Sequence, residues 1–333
     1  MKEEVIGIEV LEEVKYQDSN ERKYLAYEKN LAPDLIEALT HDEADWVRYA
    51  IASRPDLAPE QIARLTTDEA MIVQEAIASH PHLTFDQVER LSQEWNWRVR
   101  KEITKRPNLT SEQIERLSRD KEWEVREAIA RHPDLTKEQV KRLSKDEDCE
   151  VRKAIAWHSN LTPDQIERLS RDEGCCVREA IALRPHLTPK QVERLSEDSY
   201  WFVRAAIAEH PSLTAEQIER LSRDEEWEVR SVVAERDDLT AEQVERLSKD
   251  KSAWVLAKVA KRSDLTAEQV DRLSRDESLW MRAAIASRDD LTVEQVKRLS
   301  KDDERWVRDV LQANPHAKKV LDGLKKKKVG IKL

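Results

Sequence analysis

The side chains best suited to chemistry in this sequence are three cysteines, eight histidines and an arginine that returns at a fixed interval. Cys149 and Cys175 stand 26 residues apart, with Cys176 and His158 nearby, and thiolate and imidazole together could hold zinc or a redox centre. The spacing fits no compact ligand motif, however, and equivalent positions one full period apart are separated in space. An odd number of cysteines in so long a chain needs no disulfide framework and suits a reducing compartment. Phosphate-cradling loops, nucleophile elbows and paired metal-binding histidines are all absent from the sequence. No catalytic, cofactor or metal residue is assigned, and the chain is expected not to be an enzyme.

The chain that must position these groups is a repeat. From Lys29 to Asn314 a 26-residue unit recurs eleven times without insertion or deletion, and Pro107 to His132 (PNLTSEQIERLSRDKEWEVREAIARH) is typical. With Pro107 as position 1, Thr110 can cap a first short helix and Gln113 can complete a capping box, with Leu109 stapled onto Ile114. The pairs Glu112 with Arg116 and Glu115 with Arg119 fall at i,i+4 on the exposed side of that helix. Asp120 is a second start signal, after which Val125, Ala128 and Ile129 share a helical face that ends at the next proline. Leu109, Ile114, Leu117, Val125 and Ile129 contribute about 10 kcal/mol if fully buried. Ordering 26 backbone residues costs on the order of 1–2 kcal/mol each. One unit therefore cannot fold alone, and stacked copies must share a core.

These features predict an all-α, right-handed superhelical solenoid of eleven two-helix repeats over residues 29–314. Terminal caps are expected at residues 1–28 and 315–333. Val5, Ile6, Ile8, Val10 and Leu11 are candidate covers at one end, and Val320, Leu321 and Leu324 at the other. The Lys325 to Lys328 run reads as a solvated tail.

Charge is placed unevenly. Residues 1–28 carry 4 basic and 8 acidic groups, and residues 315–333 carry 7 basic and 1 acidic, so the net of −10 leaves −12 for the repeats. About one negative charge per repeat repels a phosphate backbone unless one face is selectively basic. The first residues lack the pattern of a secretory signal and no stretch is apolar enough to insert in a membrane, so a cytoplasmic protein is expected.

Asp at position 14, Val-Arg at 19 and 20, Ala-Ile-Ala at 22 to 24, then Pro-x-Leu-Thr-x-x-Gln-Val/Ile-x-x-Leu resembles the leucine-rich-repeat variant family. The resemblance spans residues 29–314 and implies paired short helices in a right-handed superhelix without a sheet. A member of that family carries an iron–sulfur cluster on an added cysteine-rich segment; residues 1–28 here hold no cysteine, so no cofactor is carried over. The Asp-to-Val-Arg half is also similar to HEAT repeats, in which such residues form an inter-repeat ladder.

Eleven copies of one unit show which positions tolerate change. Positions 3, 8, 11 and 19 barely vary, whereas position 17 reads Asp45, Met71, Trp97, Trp123, Cys149, Cys175, Trp201, Trp227, Ala253, Leu279 and Arg305. Position 17 points about 160° from the valine at 19, with position 21 beside it on the outward side. The expected partner-binding surface is therefore Trp97, Trp123, Trp201 and Trp227, with Lys101, Glu127, Lys153 and Glu179 as polar neighbours. The competing structural reading lays each indole flat on the next repeat. Trp46, Trp254, Trp280 and Trp306 at position 18 are expected to pack along the inter-repeat flank.

Arginine at position 20, as in Arg48, Arg100 and Arg308, could grip phosphates. The plainer reading is a ladder with the acid at position 14, such as Asp120 and Asp146. His80, His132, His158 and His210 at position 26 read as helix-end groups. The leading function is a scaffold that binds protein or peptide. The alternative is a nucleic-acid-binding or base-processing HEAT-like protein, as in alkylpurine DNA glycosylases.

Overall fold

Each 26-residue unit folds into two helices because its polar residues satisfy the helix ends one by one. In the unit from Pro107, Thr110 Oγ1 accepts the Gln113 N–H at 3.2 Å and Gln113 Oε1 accepts the Thr110 N–H at 2.9 Å, closing the capping box of helix Ser111–Leu117. Ser118 Oγ then donates to the Glu115 carbonyl at 3.0 Å as that helix ends. The second helix, Trp123–Ile129, starts at Glu122 and not at Asp120. Asp120 belongs to the connecting turn, where it accepts the Glu122 N–H at 3.0 Å. The sequence signal was real, but it marks the turn before the helix.

The computed structural model describes residues 18–330, with side chains to residue 324. Twenty-four helices and no strand occur among the described residues: one ahead of the repeats, eleven pairs, and one after them. The chain divides into two compact units, Met1–Leu169 and Ser170–Leu333. Both are stacks of two-helix repeats, as the 26-residue period requires. In the first, the second helices of successive repeats pack on one another, as Asp45–Ala52 does on Met71–Ala78 and Trp123–Ile129 on Cys149–Ala156. In the second, Cys175–Ala182 packs on Trp201–Ala208 and Leu279–Ala286 on Arg305–Ala313. The buried positions are the expected ones: Leu109, Ile114, Leu117, Val125 and Ile129 are all in the core.

Three rows of polar bonds tie one repeat to the next. The first is the expected ladder. Arg48 meets Asp68, Arg100 meets Asp120 and Arg126 meets Asp146, each through Nε and Nη2 together. In the second unit Arg178, Arg204, Arg230 and Arg282 bind Asp198, Asp224, Asp250 and Asp302 in the same way. The free Nη1 of Arg100 donates to the carbonyls of Glu94 and Trp95 in its own repeat, so the arginine clamps its own turn while holding the next.

A second row runs along the first helices. Glu115 accepts Gln139 Nε2 at 2.9 Å and Arg142 Nη2 at 3.1 Å from the following repeat. Glu219 accepts Gln243 and Arg246 likewise. Arg116 is drawn into this row: it meets Glu89 of the preceding repeat at 2.8 Å instead of Glu112, whereas the expected Glu115–Arg119 pair does form.

The third row explains why the chain manages with four glycines and no positive φ among the described residues. Helices often end on a left-handed glycine that satisfies the last carbonyls. Here the residue at position 26 of the next repeat does so. Arg236 Nη1 donates to the Ala208 and His210 carbonyls at 2.8 and 3.1 Å, and Asn314 Nδ2 to those of Ala286 and Arg288. His132 and His158 are therefore helix-end groups as expected, but they serve the preceding repeat: Nε2 of each faces the carbonyl of Arg106 or His132. Nδ1 of His158 accepts the Asn160 N–H at 3.2 Å, so both ring nitrogens are engaged and neither is left for a metal.

At the ends, Val5, Ile6, Ile8, Val10 and Leu11 lie outside the described residues. Helix Ser19–Ala26 repeats the geometry of a second helix, with Arg22 bound to Asp42 at 2.6 Å. Helix Pro315–Gly330 packs on both helices of the last repeat, with Ala317 buried and Val320, Leu321 and Leu324 half-buried. No helix among the described residues is long and apolar enough to cross a membrane.

Candidate partner-binding surface

With the framework residues consumed by the core and the three rows, the start of each second helix is one of the places where variable side chains face solvent. Trp97, Trp123, Trp201 and Trp227 are each the first residue of such a helix. Cα–Cβ bonds tilt toward a helix N-terminus, so a side chain in the first turn projects past the helix start with no earlier turn to cover it. Trp123, Trp201 and Trp227 are 39%, 39% and 37% exposed, and Trp97 is half-buried with the Arg98 guanidinium 5.2 Å from its ring centroid.

The same argument governs position 18, where indoles meet a ring of the neighbouring repeat, as expected of the flank, and yet stay largely exposed. Trp254 and Trp280 are 66% and 69% exposed, more than any indole at position 17. They do meet other rings: Trp254 stacks on Trp227 with centroids 6.0 Å apart, and Trp280 meets Trp306 edge-on at 4.6 Å. Trp201 meets Phe202, which in turn meets Tyr200. Each of the last five repeats thus presents an exposed indole, from Trp201 to Trp306, within the second unit. Trp254, Trp280 and Trp306 are expected at the inter-repeat flank, and what that expectation leaves out is their exposure, which follows from their place in the first helical turn.

The first unit is different. No ring contact joins Trp97 to Trp123 among the described residues. The polar neighbours proposed there are held in ion pairs, of which one joins two of them. Lys101 Nζ lies 3.7 Å from Glu127 Oε2, and Glu127 also accepts Arg131 at 2.7 Å. Lys153 Nζ lies 3.7 Å from Glu150 on its own helix, and in the second unit Glu179 is half-buried. Alternating signs at position 21 of the first unit, Glu75, Lys101, Glu127 and Lys153, fit a row of neighbours that offset each other's charge.

The cysteines are placed without a disulfide: Cys149 is exposed at the start of its helix, and Cys175 and Cys176 are half-buried. Seven of the position-20 arginines, which could have gripped phosphates, have their guanidinium edges filled by aspartates, whereas Arg308 in the last repeat bonds to the carbonyls of Asp302 and Asp303. Those carboxylates push Arg100, Arg126, Arg204 and Arg230 above the ordinary arginine value.

The fold and its surface define a tandem helical-repeat protein. In comparisons with known proteins, no family model and no curated protein matches the sequence. Among solved structures the chain is similar to a leucine-rich repeat variant with a novel repetitive structural motif, at 25% identity and a TM-score of 0.47, covering 71% of this chain and 88% of that one. It is also similar to an engineered protein, at 16% identity and a TM-score of 0.26, covering 95% and 99%.

Proposed function

We propose that the protein is a non-enzymatic scaffold that binds a protein or peptide along the exposed aromatic row. The observation that carries this reading is the run Trp201, Trp227, Trp254, Trp280 and Trp306, one indole for each of five successive repeats, all 37% exposed or more. Large apolar side chains left in water favour association, and tryptophan is enriched where binding energy concentrates. Trp97 and Trp123, with Lys101, Glu127 and Lys153 on the same face, form a smaller part of the proposed surface, and Glu179 belongs to it in the second unit. A nucleic-acid ligand is disfavoured because the recurrent arginines are committed to aspartates and the net charge is −10.

The test is to select peptides from a random library on the intact chain and measure their affinity for a variant with Trp254, Trp280 and Trp306 all changed to Ala. Affinity should fall at least tenfold while helix content and the unfolding midpoint stay close to the parent. Selected peptides that bind the folded variant as well as the parent remove the surface.

A further inference from the structure

Arginines at position 26 recur with a carboxylate in a fixed place. Arg54, Arg236, Arg262 and Arg288 each use Nε and Nη2 to hold the aspartate two residues on, Asp56, Asp238, Asp264 and Asp290, with Nε–Oδ1 distances of 2.9, 2.8, 2.9 and 2.8 Å. Those carboxylates are roughly half-exposed while the arginines that hold them are nearly buried, so the carboxylate meets the guanidinium edge from the solvent side. Arg106 keeps the backward bond of the set, Nη1 to the His80 carbonyl at 2.9 Å. Two residues on, however, stands Asn108. Among the described residues no carboxylate meets Arg106; Nη2 has only the Pro81 carbonyl, at 3.4 Å. Burial without that partner pushes its guanidinium below the ordinary value.

Arg106 lines a cleft of about 410 Å³ between repeats 3 and 4, together with Lys101, Lys105 and Arg131 and the apolar Pro107 and Ala128. The carboxylates near these cations are Glu127, shared by Arg131 and Lys101, and Glu102, bound to Lys105 at 2.5 Å. Four cations are thus met by two carboxylates, in a chain whose net charge is −10. A cleft of about 580 Å³ in the second unit, lined by Glu209, Glu235, Arg236, Asp237 and Asp238, has the opposite balance.

We propose that the Arg106 cleft is a carboxylate-binding subsite for an acidic peptide segment of a partner protein. A glutamate or aspartate side chain of that segment takes the Nε and Nη2 edge that Asp56 or Asp238 fills elsewhere, and Lys101, Lys105 and Arg131 attract the acids flanking it. The occupant is a carboxylate because four arginines of this chain show that group seated in two parallel bonds on that edge. It is a peptide and not a nucleic acid because the group seated on the equivalent edges is a carboxylate and part of the cleft lining, Pro107 and Ala128, is apolar. The subsite shares Lys101 and Glu127 with the smaller part of the proposed surface and no residue with the row Trp201 to Trp306.

The experiment is fluorescence anisotropy of the full chain with a labelled, C-terminally amidated hexaglutamate at low salt. The parent is expected to bind it, and Asn108→Asp, which supplies in cis the carboxylate found in the other repeats, is expected to weaken binding at least about tenfold, equivalent to roughly 1.4 kcal/mol. Its unfolding midpoint should be unchanged or higher. Ser111→Asp, which adds the same charge at the start of the next helix, should weaken binding less than threefold, and Arg106→Met should match Asn108→Asp. Hexaglutamine with a free C-terminus and a hexaglutamine carrying one phosphoserine should both bind more weakly than hexaglutamate. The proposal is overturned by absent hexaglutamate binding, by equal affinity in Asn108→Asp, or by tighter binding of either glutamine peptide. The last result would reassign the site to a chain terminus or a phosphate.

Discussion

Arg100 holds Asp120 of the next repeat through two parallel bonds, Nε to Oδ2 at 2.6 Å and Nη2 to Oδ1 at 2.7 Å, with side chains only 8% and 7% exposed. Removing one partner leaves the other charge nearly buried and alone, which costs about 3–5 kcal/mol. Arg100→Met and Asp120→Leu should each lower stability in urea unfolding by that order, and the double variant should lose clearly less than the two together. The exposed Arg119–Glu115 pair should contribute no more than about 1 kcal/mol by the same measurement.

The ladder has a gap at repeat 9, where Leu256 stands at the arginine position and Asp276 receives only the Ser278 N–H on its side chain. Leu256→Arg should restore the rung and raise stability by about 1 kcal/mol, since a charge-assisted hydrogen bond replaces the packing of one leucine. A lower unfolding midpoint in this variant would show that the leucine is packed too well to be exchanged. Gln74 and Glu94 mark another exchange, in which both partners change and Gln74 Nε2 keeps the bond to the Asp68 carbonyl.

Acid should loosen the second row. Hydrogen bonds from Arg246, with Arg223 and Gln243, outweigh burial and hold Glu219 at about 2, against an ordinary 4.5. At Glu115 burial pushes the other way, yet bonds from Gln139, Arg119 and Arg142 still bring it to about 2. A carboxyl whose folded value is depressed adds stability that is fully present above its unfolded value and is lost as pH falls through the folded one. The thermal midpoint should therefore drop between about pH 4.5 and 2, and Glu219→Gln should flatten that drop. An unchanged pH profile in this variant would mean that Glu219 is not among the groups responsible.

The helix pairs were legible in the sequence because period, capping box and apolar spacing agree: Thr110, Gln113, Leu117 and Ile129 sit where the pattern puts them. What the pattern could not show is which repeat a polar side chain serves. Gln113 closes its own capping box with Oε1 and reaches back to Glu89 with Nε2. Arg116 prefers that same glutamate to the local Glu112 because stacking brings Glu89 within 2.8 Å. The site was half legible. Position 17 reads as outward and position 18 as flank; Trp254 and Trp280 do meet a ring of the neighbouring repeat, but the period alone does not show that a first-turn side chain stays exposed as well. Arg106 needed the structure, since the missing aspartate at Asn108 has meaning only once Arg54 and Asp56 are seen bonded.

The most direct test of the claim that framework side chains build and first-turn indoles bind is an indole N–H correlation spectrum of the intact chain, whose ten tryptophans each give one signal. On titration with a selected peptide, the signals of Trp227, Trp254, Trp280 and Trp306 should shift or broaden while that of Trp157, at the C-terminal end of its helix, stays still. Saturable peptide binding that leaves those four signals in place would contradict the account.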